Sequence, residues 1–508
     1  MDSLLCDPRY FAQVDLSKTF KPQIDWSTGV TRANVQTVVK SVLGSDHPLR
    51  AASEPCRFSK SGYKVYDVLS RVLPDRSAQT DFFWTKYCRP YASMLSKSNY
   101  SYEVQAKFLI FLWARIIGFM GPVTGPAKPT MLTQDGSPVE ASWVIPTRTK
   151  PGEGVTPRSV RFAMEPCDPR TGIFLRGSRV MDYITSDIGG LGIVYCPPGA
   201  LDWRTTVDKW LYGHVDSSDD MAVESSGFFL GFGLLSQGYI ALKSYFQPPF
   251  AIPNAPSSIL NCPVHVGDPD FSPLRTLVAQ LHPSLVAPFD VMLEYFDSVK
   301  PPRRPLLHML ALDVVPSAKN RLKIYVQTRD GMGLSWNDVH RNMTMGGRIA
   351  GPEIETTMAR LEDLWNHLFP GTDSSSGKEL EMQTSIAAGL LDHSEEHPPG
   401  GLGYYYELSP GNVTVMPKIY FPVRHWCCSD KFITEAVEAF YAQKEVGIQG
   451  QDVDPSIVSS GWVRREIEET FPHRSLEKDT GIATWVTFGH KKKGWELTSY
   501  YSPELFKQ

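Results

Sequence analysis

Three short stretches of the chain repeat one arrangement, a cation and a tyrosine two residues apart: Lys243 and Tyr245 in ALKSYFQP, Lys323 and Tyr325 in RLKIYVQT, Lys418 and Tyr420 in PKIYFPVR. Side chains on a strand alternate faces, so each pair shares one face, and in the second stretch Arg321 joins it. Leu322, Ile324, Ile419 and Phe421 fall on the opposite faces. Such strands suit a barrel or sheet whose polar side encloses something and whose apolar side is covered. A multiply anionic ligand such as an organic pyrophosphate needs several cations at fixed positions, and phenol rings beside them present negative π faces that shield a positive centre. One Lys-x-Tyr is ordinary on an exposed strand, where the lysine stem lies along its neighbours. Three of them, with further arginines nearby, point to a site that holds a pyrophosphate and protects a carbocation.

The elements that must position these residues follow from alternation and turn punctuation. Strand pairs are expected at 139–146 with 158–165, 227–233 with 239–247, 306–315 with 321–328, 402–408 with 416–423, and 482–489 with 495–501. The last two turn through SPGN and HKKKG. Helix-length segments lie between, such as Leu274 to Ser298, Ser335 to Phe369, and Asp430 to Gln443 with Ser456 to Phe471. Five hairpins at intervals of about 80 to 90 residues form an internal repeat of low residue identity. The predicted fold is α+β: a ten-stranded antiparallel barrel of five helix-helix-strand-strand repeats with an outer ring of helices, its lumen wide enough for ligands. Residues 1–75 are expected as an N-terminal helical extension packed on the barrel, and 76–508 as the barrel domain. No linker divides the chain, and TDSSSG at 372–377 and EEHPPGG at 395–401 read as surface loops.

With 42% hydrophobic and 21% charged residues among 508, the composition is globular, and a net charge of -4 gives no broad basic field for nucleic acid. The start, MDSLLCDPRYF, lacks the basic and apolar regions of a secretory signal. FLIFLWARIIGFM, Phe108 to Met120, is too short to span a bilayer and contains Arg115, so it reads as a buried amphipathic helix, and no membrane partner is expected. Eight cysteines without a CxxC favour reduced thiols and a cytoplasmic location, which makes the sequons at Asn99, Asn342 and Asn412 coincidences.

Other familiar motifs fail. GTDSSSGKE, Gly371 to Glu379, has five residues between its glycines and Glu379 where a phosphate loop needs Ser or Thr. DSSDD, Asp216 to Asp220, has the wrong order for an aspartate-rich magnesium site and no second acidic cluster, so no metal is expected. Ser236 in GLLSQG lacks the glycines of a nucleophile elbow, and DHSEEH at 392–397 lacks the spacing of a zinc helix.

Taken in order, the five repeats, the Lys-x-Tyr strands, SPVEASW, VRFAMEP and the closing SYYSPE resemble the fungal aromatic prenyltransferases related to dimethylallyltryptophan synthase, whose fold is the ααββ barrel called ABBA or PT. The resemblance runs from about residue 75 onward. It implies transfer of a prenyl group from an allylic diphosphate to an indole or phenolic acceptor in secondary metabolism, without metal or other cofactor. The partners implied are the small-molecule prenyl diphosphate and the aromatic acceptor, on a monomer or homodimer. On this resemblance Glu140 takes the acceptor's hydrogen bond, and Arg161, Lys243, Arg321, Lys323 and Lys418 hold the diphosphate, with Glu165 a structural partner for Arg161. Tyr245, Tyr325, Tyr420 and Tyr500, favoured over Tyr501, form the carbocation shield.

The chain also departs from the family. From Ala222 to Ala241 there is no Lys, Arg or His where indole-alkylating members carry a lysine base, and Phe232, Gly233, Leu234 replace the usual Phe-Asp-Leu. Trp485 sits where a tyrosine is frequent. Gly403 in GLGYYYEL stands where many relatives have a methionine bounding the prenyl pocket, which leaves space for a geranyl or farnesyl donor. The competing reading is a non-catalytic barrel that binds a phosphorylated isoprenoid.

Overall fold

Ten antiparallel strands close on themselves in chain order: β1 Val139–Val144, β2 Ser159–Met164, β3 Phe228–Leu234, β4 Ile240–Phe246, β5 Leu306–Asp313, β6 Leu322–Gln327, β7 Gly403–Leu408, β8 Met416–Phe421, β9 Ala483–Lys491 and β10 Gly494–Tyr501. Each pairs with its neighbours in sequence, and β10 returns to β1 through Ala141↔Tyr501 to Val144↔Thr498. Closure leaves no edge among the ten. A two-residue strand, Val194–Tyr195, lies parallel to the start of β4. The computed structural model describes residues 24–44, 64–73, 77–144, 158–213, 222–223, 227–249, 262–329, 331–372, 374–381, 401–442, 461–491 and 494–507. The DSSDD segment and DHSEEH lie outside the described residues.

Alternation sorts each strand into two environments. Leu322, Ile324, Ile419 and Phe421 face outward into the main core, where helices cover them: Phe421 meets Trp365 of helix Pro352–Leu368 at 6.0 Å, and Phe296 of helix Val286–Ser298 meets Tyr406 at 5.4 Å. A fully buried side chain of this size contributes roughly 1.5–3 kcal/mol, so the apolar outer face holds the barrel shut. Tyr325, Tyr405 and Ala311 form a separate cluster with Tyr245, Met309 and Tyr420, on the inner face.

Helices precede each hairpin, as the repeat predicts, and two of the helix-length segments each divide into two helices. Leu274 to Ser298 divides into Leu274–Leu281 and Val286–Ser298, because His282 precedes Pro283 and is extended at φ -164°. Ser335 to Phe369 divides at Met345, Gly346 and Gly347, all at positive φ, into Trp336–Met343 and Pro352–Leu368. The apolar run near residue 110 is α-helical over Tyr102–Phe111 and then widens into a π turn at Leu112–Ile116. It is buried on nearly every side, so it is a core helix and not an amphipathic one. Among the described residues no helix is long and apolar enough to cross a membrane.

Candidate active site

Even strands run one way and odd strands the other, so the starts of even strands and the ends of odd strands share one rim. Arg161, Arg321, Lys323 and Lys418 lie near even-strand starts, and Asp313, Glu407 and Lys491 at or near odd-strand ends. Register joins them across the inner wall: Lys243 opposes Asp313, Lys323 opposes Glu407, and Tyr405 stands between Tyr325 and Lys418. The five expected cations therefore converge on one end of one lumen.

They are interleaved with carboxylates. Arg321 Nε donates to Asp313 at 2.7 Å and its Nη1 to both oxygens of Glu407 at 3.2 and 3.1 Å, while Lys323 Nζ donates to Asp313 at 3.1 Å. Lys418 Nζ lies 3.6 Å from Glu496, and Arg161 Nη2 lies 3.8 Å from the other oxygen of that carboxylate. Glu165, expected beside Arg161, accepts from the Thr130 hydroxyl at 2.5 Å and the Met131 N–H at 2.9 Å. Burial alone would raise the pKa of Asp313, but Arg321 and then Lys323 pull it well below the carboxylate range. Burial, and next the neighbouring Arg321, lower that of Lys323. Five cations against three carboxylates leave the rim net positive, and Lys491, within electrostatic reach of Glu407, adds to it.

Above the cations the phenols form a layer. Tyr325 is 6.2 Å from Tyr245, 5.2 Å from Tyr405 and 5.7 Å from Tyr420, and Tyr420 is 5.9 Å from Tyr500. Lys418 Nζ sits 5.5 Å from the Tyr420 ring centre. Tyr501 is elsewhere, packed on Phe471 at 5.7 Å in the outer core. Gly231 opposes Lys243, and a Cβ there would come within 2.8 Å of the Tyr245 ring, so only glycine lets that ring lie flat on the wall. In the same strand Phe232 points outward and stacks on Phe162 at 4.3 Å.

The opposite rim holds the start of β1 and β9, and the end of β10. Glu140 is buried there, and the Thr484 hydroxyl donates to its Oε1 at 2.6 Å. Burial pushes its pKa up to about 7, opposed by the Thr484 hydrogen bond and the charge of Arg424. Gly403 faces this region: a Cβ on it would meet Tyr420 Cβ at 3.2 Å and Trp485 Cζ3 at 4.0 Å. Its φ is not positive, so backbone conformation does not demand glycine. The Trp485 ring stands edge-on to Tyr420 at 6.1 Å.

Asp313, Glu407, Glu496, Tyr405 and Thr484 were not foreseen. Alternation held the signal for three of them: Tyr405 and Glu407 share a face in GYYYEL, and Glu496 shares one with Thr498 and Tyr500 in WELTSYY. Among the described residues no group of three or more His, Cys, Asp or Glu is placed to hold a metal ion.

A sequence model described as tryptophan dimethylallyltransferase matches residues 79–452. The chain belongs to that family. It is similar to Prenyltransferase fogH of Aspergillus ruber, with 26% identity covering 87% of this chain and 96% of that relative. It is equally similar, at 26% identity, to 4-O-dimethylallyl-L-tyrosine synthase of Claviceps purpurea, over 81% of this chain and 85% of the other. Among solved structures, NotF in complex with brevianamide F and DMSPP superposes with a TM-score of 0.63 at 17% identity, covering 86% of this chain and 98% of NotF. That likeness confirms the ten-stranded barrel with its outer helices.

Proposed function

We propose that this aromatic prenyltransferase moves a prenyl group from an allylic diphosphate to an electron-rich indole or phenolic ring. One observation carries the reading: five cations and four tyrosines face a single lumen that has a buried carboxylate at its other rim. A carrier of phosphorylated isoprenoids needs the cations but has no use for that carboxylate.

Arg161, Lys243, Arg321, Lys323 and Lys418 grip the diphosphate, and the C–O bond breaks with its electron pair leaving on the diphosphate. Tyr245, Tyr325, Tyr420 and Tyr500 face the allylic cation and exclude water from it. The acceptor's N–H or O–H donates to Glu140, which raises electron density on the ring as a ring carbon or heteroatom attacks. Loss of a proton then restores aromaticity. With no side chain at Gly403, nothing projects from it toward Tyr420 and Trp485, which supports donors longer than dimethylallyl. The cations do the work a magnesium ion does in other diphosphate enzymes, so turnover needs no metal. None of the six described cysteines is in a disulfide, which supports work in the cytosol.

The test is incubation of purified protein with dimethylallyl or geranyl diphosphate, mixed indoles and phenols, and excess EDTA. A mass gain of one prenyl unit on an acceptor is expected. Acceptors left unmodified, or modified only when magnesium is restored, would remove the metal-free transfer reading.

A further inference from the structure

Arg424 directly follows β8, in the short helix Val423–Trp426 at the Glu140 rim. It is 5% exposed and firmly held: its backbone oxygen accepts from the Thr480 hydroxyl at 2.9 Å, and its Nε donates to His425 Nε2 at 3.0 Å. The guanidinium carbon lies 5.9 Å from the centre of the Trp485 ring, whose Cζ3 would stand 4.0 Å from a Cβ on Gly403. Nη1 nevertheless has no hydrogen-bond partner among the described residues. Buried guanidinium N–H groups are expensive to leave unmet, so an orphan of this kind marks a place where a ligand atom belongs.

Glu140 is its counterpart. Thr484 occupies Oε1, and Oε2 takes no hydrogen bond among the described residues. Arg424 is the cation nearest in influence to Glu140, and it in turn feels the charges of Glu140 and Asp135. Asp135 is already engaged by the Ser502 hydroxyl, at 2.6 Å, and by Ser137. An open acceptor atom and an open donor atom thus sit at one rim, the donor on a guanidinium beside Trp485.

We propose that Glu140 and Arg424 form a two-point clamp for the acceptor: Glu140 takes an aromatic N–H or O–H, and Arg424 takes a carboxylate or carbonyl oxygen on the same molecule. The acceptor class is then narrower than electron-rich rings in general. It comprises indoles and phenols that carry a second, oxygen-bearing group, and Arg424 is the residue that selects them. The clamp rests on the prenyl-transfer reading for its purpose, but binding alone tests it.

Two matched pairs separate the oxygen from the ring: tryptophan against tryptamine, and 2-hydroxyacetophenone against 2-ethylphenol. Equilibrium affinities are measured by quenching of intrinsic tryptophan fluorescence with inorganic pyrophosphate present, on the wild type, Arg424→Gln and Arg424→Lys. The wild type should bind each oxygen-bearing member at least about tenfold more tightly than its partner. Arg424→Gln should collapse that ratio to near one, and Arg424→Lys should keep part of it for tryptophan. A wild-type ratio near one in both pairs overturns the clamp without any variant. A ratio that survives Arg424→Gln overturns it too, as does an equal loss for both members of a pair, which is what a mere counter-ion for Glu140 would produce. Prenyl transfer with no discrimination would sink the clamp and leave the transfer reading standing; discrimination without transfer would do the reverse.

Discussion

The two rims of the barrel are built on opposite plans. At the cation rim every expected charge sits among others, with Arg321 and Lys323 sharing Asp313 and with Lys418 and Arg161 approaching Glu496. At the opposite rim Glu140 has one hydroxyl partner and lies within electrostatic reach of Arg424. The first plan fixes many donors before the ligand arrives, which suits a leaving group of constant chemistry. The second leaves its polar atoms open, which suits partners that vary. Relatives in the family that act on tryptophan, tyrosine and xanthone carry such variation in their names.

The largest expected effect comes from breaking the cation rim. Lys323→Ala should lower turnover about 10²- to 10³-fold, the cost of removing one preorganised charge donor, measured as single-turnover product formation at saturating acceptor. Glu140→Gln should cost roughly 10²-fold in kcat/KM for the acceptor while sparing the donor. The wild-type profile sharpens this: Glu140 must be a carboxylate to accept, and burial sets its pKa at about 7, so kcat/KM should rise with pH up to about 7 and level above it. Glu140→Gln should flatten that limb. The same raised pKa means the group's contribution to stability is fully present below the ordinary carboxylate range and is lost as pH rises through about 7.

Gly403→Met is a smaller change, placed at the Glu140 rim beside Tyr420 and Trp485. It should shift the geranyl-to-dimethylallyl preference by about tenfold toward dimethylallyl, read from paired donor competition. Smallest of all is Tyr325→Phe, which keeps the ring and should change turnover by no more than about twofold, whereas Tyr325→Ala should raise the fraction of donor lost to water as prenyl alcohol.

All five hairpins were legible because period-2 alternation survives wherever one face is apolar and the other polar. Helix breaks were less so: the apolar spacing continues across His282 and Pro283, and only the proline signals the interruption. Within the site, Lys243, Lys323, Lys418 and their tyrosines announce themselves by spacing, and of the terminal pair Tyr500 lies beside Tyr420 while Tyr501 packs on Phe471. Asp313 did not announce itself, since a carboxylate on an inner face looks the same in sequence as one on a solvated strand. Arg424 was invisible for a different reason. It lies off every strand, and its importance comes from an unmet N–H that only the packing of Trp485 and His425 creates.

Calorimetric titration of inorganic pyrophosphate into the wild type, Lys323→Ala and Glu140→Ala tests the separation of the two rims most directly. The account predicts at least a tenfold loss of affinity for Lys323→Ala and a change within about twofold for Glu140→Ala. Equal weakening by both substitutions, or pyrophosphate binding untouched by Lys323→Ala, would contradict it.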